Sequence, residues 1–364
     1  MKMELEERFQ LVKGVGEEII TEEELKELLA SKEHPVAYDG FEPSGLAHLP
    51  FGVFRPMLIE DLLKAGVKFK LYLADYFAWI NNKLGGDLEK IRLAGEYFIE
   101  VWNAAGLDTK KVEFVWASDL ASRKEYWKRV ILVAKNTTVH RANRALSIMG
   151  RKAGEMKEVA QYFYPAMQVA DIFELQVDIC QLGLDQRRAN ILAREVGPKL
   201  GWWKPVIVSH HMLMGLEGAK QPEGYDDNRE IDIAISSKMS KSKPKSCIFV
   251  HDSKEEIERK IRNAYCPERV VENNPILDYS KHLIFRKFGR MKVDRPLKFG
   301  GPVEFHSYEE LEKAFKEGEL HPLDLKNAVV EYIDQMVKPI REHFEKNAKA
   351  RELYELMKSF KITR

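Results

Sequence analysis

Lys238 and Lys241 stand three residues apart in the run Ile235-Ser-Ser-Lys-Met-Ser-Lys-Ser-Lys-Pro-Lys-Ser246, with Met239, Ser240 and Ser242 around them. The run has no apolar periodicity that would bury it, so it predicts a mobile loop able to close ammonium groups over a polyphosphate. A lysine–serine run on its own is an ordinary solvated surface loop. Two other stretches give it company. Gly45-Leu-Ala-His48-Leu-Pro-Phe-Gly52 is a glycine-bearing turn leading into helical spacing. Such a turn presents unpaired backbone N–H groups and a positive dipole end to a phosphate, and His48 adds a donor. Tyr164, Gln168 and Asp171 fall at i, i+4 and i+7, one face of one helix. Met167, Val169 and Ile172 alternate with them and predict burial rather than a solvated polar stripe.

These groups require elements that aim them at one place. Residues 36–41, 69–75, 112–117, 176–180 and 205–208 read as strands, separated by helical patterns at 51–65, 88–105, within 121–175, and at 185–200. A capping box, Thr21 with Glu24, opens a helix ahead of the first strand. Strands alternating with amphipathic helices predict an α/β fold with a doubly wound parallel sheet, in which ligands bind beyond the carboxyl ends of the strands. After the lysine loop the pattern turns helical. Ser253 with Glu256 and Ser307 with Glu310 are further capping boxes, and a long helix is expected over 323–347, kinked or split at Pro339. Two domains follow: 1–242, ending in the lysine loop, and a mainly helical 243–364.

At 364 residues with 45% hydrophobic content the chain can bury a sizeable core, and 58 basic against 57 acidic residues leave a net charge of +1. No global pull towards nucleic acid results, so any RNA contact must be local. Cys180, Cys247 and Cys266 are far apart, which fits neither a disulfide framework nor a cysteine zinc site and suits a reduced, cytoplasmic protein. The charged N-terminus lacks a signal-peptide core, and no apolar run is long enough to span a membrane. His210-His211 is a tempting metal pair, but adjacent residues on a strand point to opposite faces, so no metal site is expected. Neither a P-loop nor a dinucleotide fingerprint is present.

The stretch Lys238-Met-Ser-Lys-Ser242 matches the KMSKS signature of class I aminoacyl-tRNA synthetases. Tyr38-Asp-Gly-Phe-Glu-Pro-Ser-Gly45 followed by His48-Leu, Tyr164-Pro-Ala-Met-Gln168-Val-Ala-Asp171 and Gly183-Leu-Asp-Gln186-Arg-Arg resemble blocks of the archaeal and eukaryotic tyrosyl-tRNA synthetases. Ala264-Tyr-Cys-Pro267, Lys298-Phe-Gly-Gly301 and Leu320-His-Pro-Leu-Asp-Leu-Lys-Asn-Ala328 resemble that family's C-terminal lobe.

The resemblance implies a Rossmann-like catalytic domain and an anticodon-binding helical domain. The implied activity is formation of tyrosyl-adenylate from L-tyrosine and ATP with Mg2+, then transfer of tyrosine to tRNA(Tyr), by a homodimer. It also implies roles. Tyr38 and Asp171 bind the phenol, while Tyr164, Gln168 and Gln186 hold the α-amino group. Gly40, His48 and the segment Lys238, Met239, Ser240, Lys241 and Ser242 bind ATP, with His48, Lys238 and Lys241 as the catalytic groups. Arg144 and Arg187 meet the first base pair of the acceptor stem, and Phe299, His321 and Asp324 meet the first anticodon base. A tryptophanyl enzyme on the same scaffold, or a synthetase-like RNA-binding protein without catalysis, are the alternatives. Four places depart from the family pattern. Pro50-Phe51 stand at the last two positions of His-x-Gly-His, Leu182 replaces a glycine, 218–236 is a longer approach to the lysine loop, and His210-His211 replaces Asn-Pro.

Overall fold

The computed structural model describes residues 3–151 and 155–360. Its central sheet contains β1 (Glu18–Ile20), β2 (Val36–Phe41), β3 (Lys68–Leu73), β4 (Val112–Trp116), β5 (Ile179–Cys180) and β6 (Val206–Ser209), in the order β1-β6-β5-β2-β3-β4. β6, β5, β2, β3 and β4 run parallel, and β1 closes the edge antiparallel to β6. From β2 the chain winds outward through β3 and β4, then returns to build β5 and β6 on the other side. The order therefore reverses between β2 and β5, which makes the crevice beyond their carboxyl ends the place for a ligand.

The period of two along the strands sorts side chains between two layers. Ala37, Phe69, Leu71 and Leu73 enter the core shared with helices Arg55–Lys64 and Leu88–Ala104, whereas Tyr38 and Tyr72 enter the core under helices Lys124–Lys135 and Tyr164–Glu174. Parallel strands buried on both faces need this double cover. The first core continues into the second lobe through residues such as Ile257, Ile284, Ile333 and Met357.

Several expected elements are present with altered ends. Thr21 Oγ1 accepts from Glu24 N–H at 3.2 Å, but the Glu24 carboxylate turns away to Arg194 and Lys204, so the box is half-formed. Ser253 and Glu256 form the complete box. The helix expected from residue 51 opens as a wide π turn, Pro50–Phe54, before the regular helix Arg55–Lys64. A close approach accompanies that turn: a Cβ on Gly52 would lie 2.5 Å from Val250 Cγ1. The strand expected over 176–180 shrinks to Ile179–Cys180 because the preceding helix ends through Gln176, at φ +55°, and Val177 N–H, which bonds back to Ile172 O at 2.9 Å.

Helix Pro322–Lys346 runs unbroken through Pro339, flanked by buried Met336, Val337 and Ile340. Packing there outweighs the single hydrogen bond that proline removes. Two features are additional to the sequence reading. β1 is three half-buried residues without alternation, and the second lobe carries a hairpin, β7 (Met291–Val293) with β8 (Val303–Phe305). Strands this short show no usable period.

Candidate active site

A cavity of about 410 Å³ opens at the β2–β5 reversal. Tyr38, Gly40, His48, Tyr164, Gln168, Asp171, Gln186 and 238–242 all line it. The structure thus brings together residues from positions 38 to 242 that the resemblance assigns to amino acid and nucleotide.

One end is built from tyrosines around a carboxylate. Tyr38 projects from β2, Asp171 from the helix Tyr164–Glu174, and both are 1% exposed. Tyr126 donates to Asp171 Oδ1 at 2.8 Å. Asp171 Oδ2, Tyr38 OH and Tyr72 OH are buried and none completes a hydrogen bond of good geometry, although the Tyr72 hydroxyl faces Asp171 and Gln168 faces Tyr38. Groups left so cost free energy, roughly 1–3 kcal/mol each, and their clustering in one wall marks the place of a polar ligand atom. Burial keeps the Tyr38 phenol neutral and, outweighing the hydroxyls of Tyr126 and Tyr72, pushes the Asp171 carboxyl up to about 8.

That shift has a sign. Without ligand, the folded state keeps a proton on Asp171 that the unfolded chain releases at about pH 3.9. The folded state therefore binds more protons between about pH 4 and 8, and this group lowers stability as pH rises through that window. Asp171→Asn, which cannot ionise, gains stability relative to the parent between those pH values. Urea unfolding at both ends of the window checks this, and parallel pH curves for the two proteins would count against it.

Further along the cavity, Tyr164 OH donates to Glu42 Oε1 at 2.7 Å, and Asn81 Nδ2 donates to the same carboxylate. Gln168 Nε2 donates to Gln186 Oε1 at 3.1 Å, and Gln186 Nε2 to Ile148 O at 3.0 Å. The wall is thus rich in acceptors suited to an ammonium group. Glu42 was not among the expected residues, although it sits within the motif that carries Tyr38.

The other end is cationic. Lys241 Nζ donates to Ser44 Oγ at 3.0 Å, and burial together with nearby Lys83 draws its ammonium down to about 8. Lys238 pairs with Asp185 at 2.5 Å. His48 Nδ1 is buried without a partner; burial, then Lys241 and Lys238, hold the imidazole neutral. The turn bearing His48 is laced to the segment after the lysine loop by Leu49 N–H to Ile248 O at 3.0 Å and Val250 N–H to Ala47 O at 3.1 Å. Both halves of the cationic end therefore share one backbone frame.

Beneath lies a buried network outside the sequence expectations. Arg55, 2% exposed, pairs with Asp39 Oδ2 at 2.8 Å and donates to Gln181 Oε1 at 2.6 Å and His210 Nδ1 at 3.1 Å. It joins the ends of β2, β5 and β6 under the cavity floor.

The departures from the family pattern have local explanations. Phe51 is 5% exposed and packs on Phe41, Phe98 and Trp102, with ring centroids 5.0, 4.1 and 4.5 Å away. It is an aromatic wall of the cavity rather than a loose obstruction, and Leu182 lines the cavity too. His210 and His211 do diverge. His210 joins Arg55, while His211 Nε2 meets Asp278 Oδ1 at 2.7 Å. Asp278, His211 and His282 bring three metal-type donors within 4.8 Å, a cluster across the two lobes that the sequence reading missed. The two imidazoles lie 7° from parallel with centroids 3.8 Å apart, so their in-plane lone pairs run side by side and do not converge on one ion. Burial opposes charge on His211, but Asp278 and Glu17 prevail and hold it up to about 10. The cluster is an ion-paired stack tying β6 to the second lobe.

The proposed RNA residues lie outside the cavity wall. Arg144 hydrogen-bonds Asp227, and Arg187 pairs with Glu18 at 2.8 Å. Phe299 is 59% exposed, so its ring is not part of the core, and Lys298 Nζ sits 4.9 Å from its centroid. His321 caps the helix Pro322–Lys346 through Nδ1, accepting from Leu323 N–H at 3.1 Å, and Asp324 lies in the first turn. Arg295 bonds Gly301 O and Glu319 O, both at 2.7 Å, tying the loop of Phe299 to the segment leading into His321.

The sequence profile of the family "tRNA synthetases class I (W and Y)" matches residues 30–222 and 233–338. The chain is 47% identical to the tyrosine–tRNA ligase of Thermococcus sibiricus, over all of both chains. It is 43% identical to the cytoplasmic tyrosine–tRNA ligase 1 of Arabidopsis thaliana, over 100% of this chain and 91% of the plant protein. Its fold overlays the crystal structure of Pyrococcus horikoshii tyrosyl-tRNA synthetase complexed with L-tyrosine at a TM-score of 0.90 and 44% identity, covering 98% of this chain and 100% of that one. With the His48 turn and the KMSKS loop side by side at the cationic end of one switch-point cavity, the chain belongs to the class I tRNA synthetases, in their tyrosyl branch.

Proposed function

We propose that the chain activates L-tyrosine with ATP and transfers the tyrosyl group to tRNA(Tyr). The observation that carries this is the pair of buried, unpartnered atoms Tyr38 OH and Asp171 Oδ2 in one cavity wall. A phenol both donates and accepts, so one ligand hydroxyl can donate to Asp171 and accept from Tyr38; an indole N–H only donates and leaves the Tyr38 O–H with no acceptor. The acceptors around Tyr164, Gln168 and Gln186 suit the α-ammonium group.

With tyrosine so held, its carboxylate oxygen attacks the α-phosphorus of ATP, the bond to the bridging oxygen breaks, and pyrophosphate leaves. A hydroxyl of the terminal tRNA ribose then attacks the activated carbonyl and AMP leaves. No protein nucleophile is needed, and the chain contributes position and charge. Lys241 and Lys238 offer ammonium groups to the phosphates, His48 donates as a neutral imidazole, and Gly40 leaves room for the nucleotide. A phosphate beside Lys241 offsets the burial that lowers its pKa.

Mg2+ belongs to this proposal as a companion of the ATP phosphates. Among carboxylates lining the cavity, Asp39 is paired with Arg55, Asp185 with Lys238, and Glu42 with Tyr164 and Asn81, which does not make a protein cage for the ion. Magnesium commonly stays on substrate phosphates with its waters. Arg144 and Arg187 meet the acceptor stem, and Phe299, His321 and Asp324 the anticodon, in a division of labour between 1–242 and 243–364. The working state is a cytoplasmic homodimer. No helix among the described residues is long and apolar enough to cross a membrane. Exposed Val139, Val159 and Phe163 supply apolar surface for a second copy.

Charging of total tRNA with labelled tyrosine or tryptophan, followed by sequencing of the charged species, tests the whole reading. Tyrosine on tRNA(Tyr) is expected. Tryptophan on its own tRNA would favour the sister enzyme, and RNA binding without charging would favour a non-catalytic RNA-binding protein.

A further inference from the structure

We propose that the turn 223–228, with Asp227 exposed at its tip and Asp226 beneath it, occupies the phosphate-binding surface of Arg144, Arg187 and Arg188 and competes with RNA for it. This rests on the reading that Arg144 and Arg187 face the acceptor stem. Asp227 bonds Arg144 through Oδ2 and Arg188 through Oδ1, the latter at 3.3 Å. Asp226 Oδ2 lies 3.6 Å from Arg188 Nε and 4.0 Å from Arg187 Nη1, while Glu18 holds Arg187 from the other side. Three guanidinium groups thus meet three carboxylates of the same chain. Carboxylate and phosphate present similar paired oxygens to the guanidinium fork, so the acidic tip occupies the arginines as an RNA backbone would.

The turn does not need the arginines for its shape. Asp232, in the first turn of helix Arg229–Ser237, accepts from Glu223, Gly224 and Tyr225 N–H at 3.3, 2.8 and 3.1 Å. Asn228 caps the same helix, and Gly224 takes φ +91°. Asp227, by contrast, has a side chain 66% exposed, with Arg144 and Arg188 as its partners among the described residues. Asp226, its side chain 5% exposed, also accepts from Asn228 N–H at 2.9 Å and so shapes the turn, which leaves Asp227 as the carboxylate without a structural role. The turn also reaches the active site: Tyr225 lines the cavity, its carbonyl accepts from Ser147 Oγ at 3.1 Å, and helix Arg229–Ser237 leads directly into Lys238.

The test uses the full chain with Asp227→Asn, which keeps the side-chain size and removes the charge. tRNA affinity is measured by filter binding between about 50 and 200 mM salt, the range over which phosphate contacts report most strongly. Several-fold tighter binding at the low-salt end is expected, with a steeper fall as salt rises, because freed arginines neutralise more phosphates. Pyrophosphate–ATP exchange stays at the parent rate. An affinity and salt slope equal to the parent's, or weaker binding, overturns the proposal. Arg144→Ala separates the two readings. If it leaves tRNA affinity untouched, the acceptor-stem assignment itself fails; if it weakens binding while Asp227→Asn changes nothing, only the competition fails.

Discussion

Asp171→Ala is expected to cut kcat/KM for tyrosine activation by about 5- to 150-fold while leaving the weak reaction of phenylalanine nearly unchanged. The range follows from leaving the buried ligand hydroxyl without its acceptor, about 1–3 kcal/mol. Tyr38→Phe removes a neutral partner and costs less, about 0.5–1.5 kcal/mol. The two effects fall short of additive because both residues serve one hydroxyl. Rejection of phenylalanine by about 10⁵ is the known example of a tyrosyl-tRNA synthetase, and it arises because polar partners would be stranded. Here those partners are visible as the unsatisfied Asp171 Oδ2 and Tyr38 OH. Parallel exchange assays with the two amino acids check the prediction. An equal fall for both would mean that Asp171 supports the fold of the pocket without reading the hydroxyl.

Lys241→Ala and Lys238→Ala are expected to lower the rate of adenylate formation by about 10²–10³ each, the usual cost of removing one preorganised charge-stabilising donor. Tyrosine affinity, followed by fluorescence titration without ATP, stays within about two-fold of the parent, since neither lysine lies at the phenol end. The two differ in what they leave behind. Lys241 sits on Ser44 and above the Phe98 ring, whereas removal of Lys238 strands Asp185 at the cavity rim. Lys238→Ala therefore also raises KM for ATP, because an uncompensated carboxylate faces the phosphates. A rate unchanged in either variant would remove that lysine from the mechanism.

The sequence made the frame of the site readable because its signals are local. Strands 36–41 and 112–116 carry β-branched and aromatic runs, the face Tyr164, Gln168, Asp171 has helical period, and Ser253 with Glu256 caps a helix within four residues. What stayed hidden depends on contacts between distant positions. Arg55 lies in the first turn of an amphipathic helix and reads as a surface charge; its burial is set by Asp39, by Gln181 126 positions away and by His210 155 positions away. Tyr72 and Tyr126 look like core aromatics, and only the fold points them at Asp171. The same holds for Asp227, a loop acid until it meets Arg144 83 positions back. Phe51 shows the converse. Judged against a motif it is a defect, yet next to Phe41, Phe98 and Trp102 it is a packed wall.

Pyrophosphate–ATP exchange by the purified protein, with tyrosine, tryptophan and phenylalanine supplied one at a time, tests the central claim most directly. Exchange that depends on tyrosine alone is the predicted result, since only its hydroxyl serves both Tyr38 and Asp171. Exchange supported equally by tryptophan or phenylalanine, or by none of the three, would contradict it.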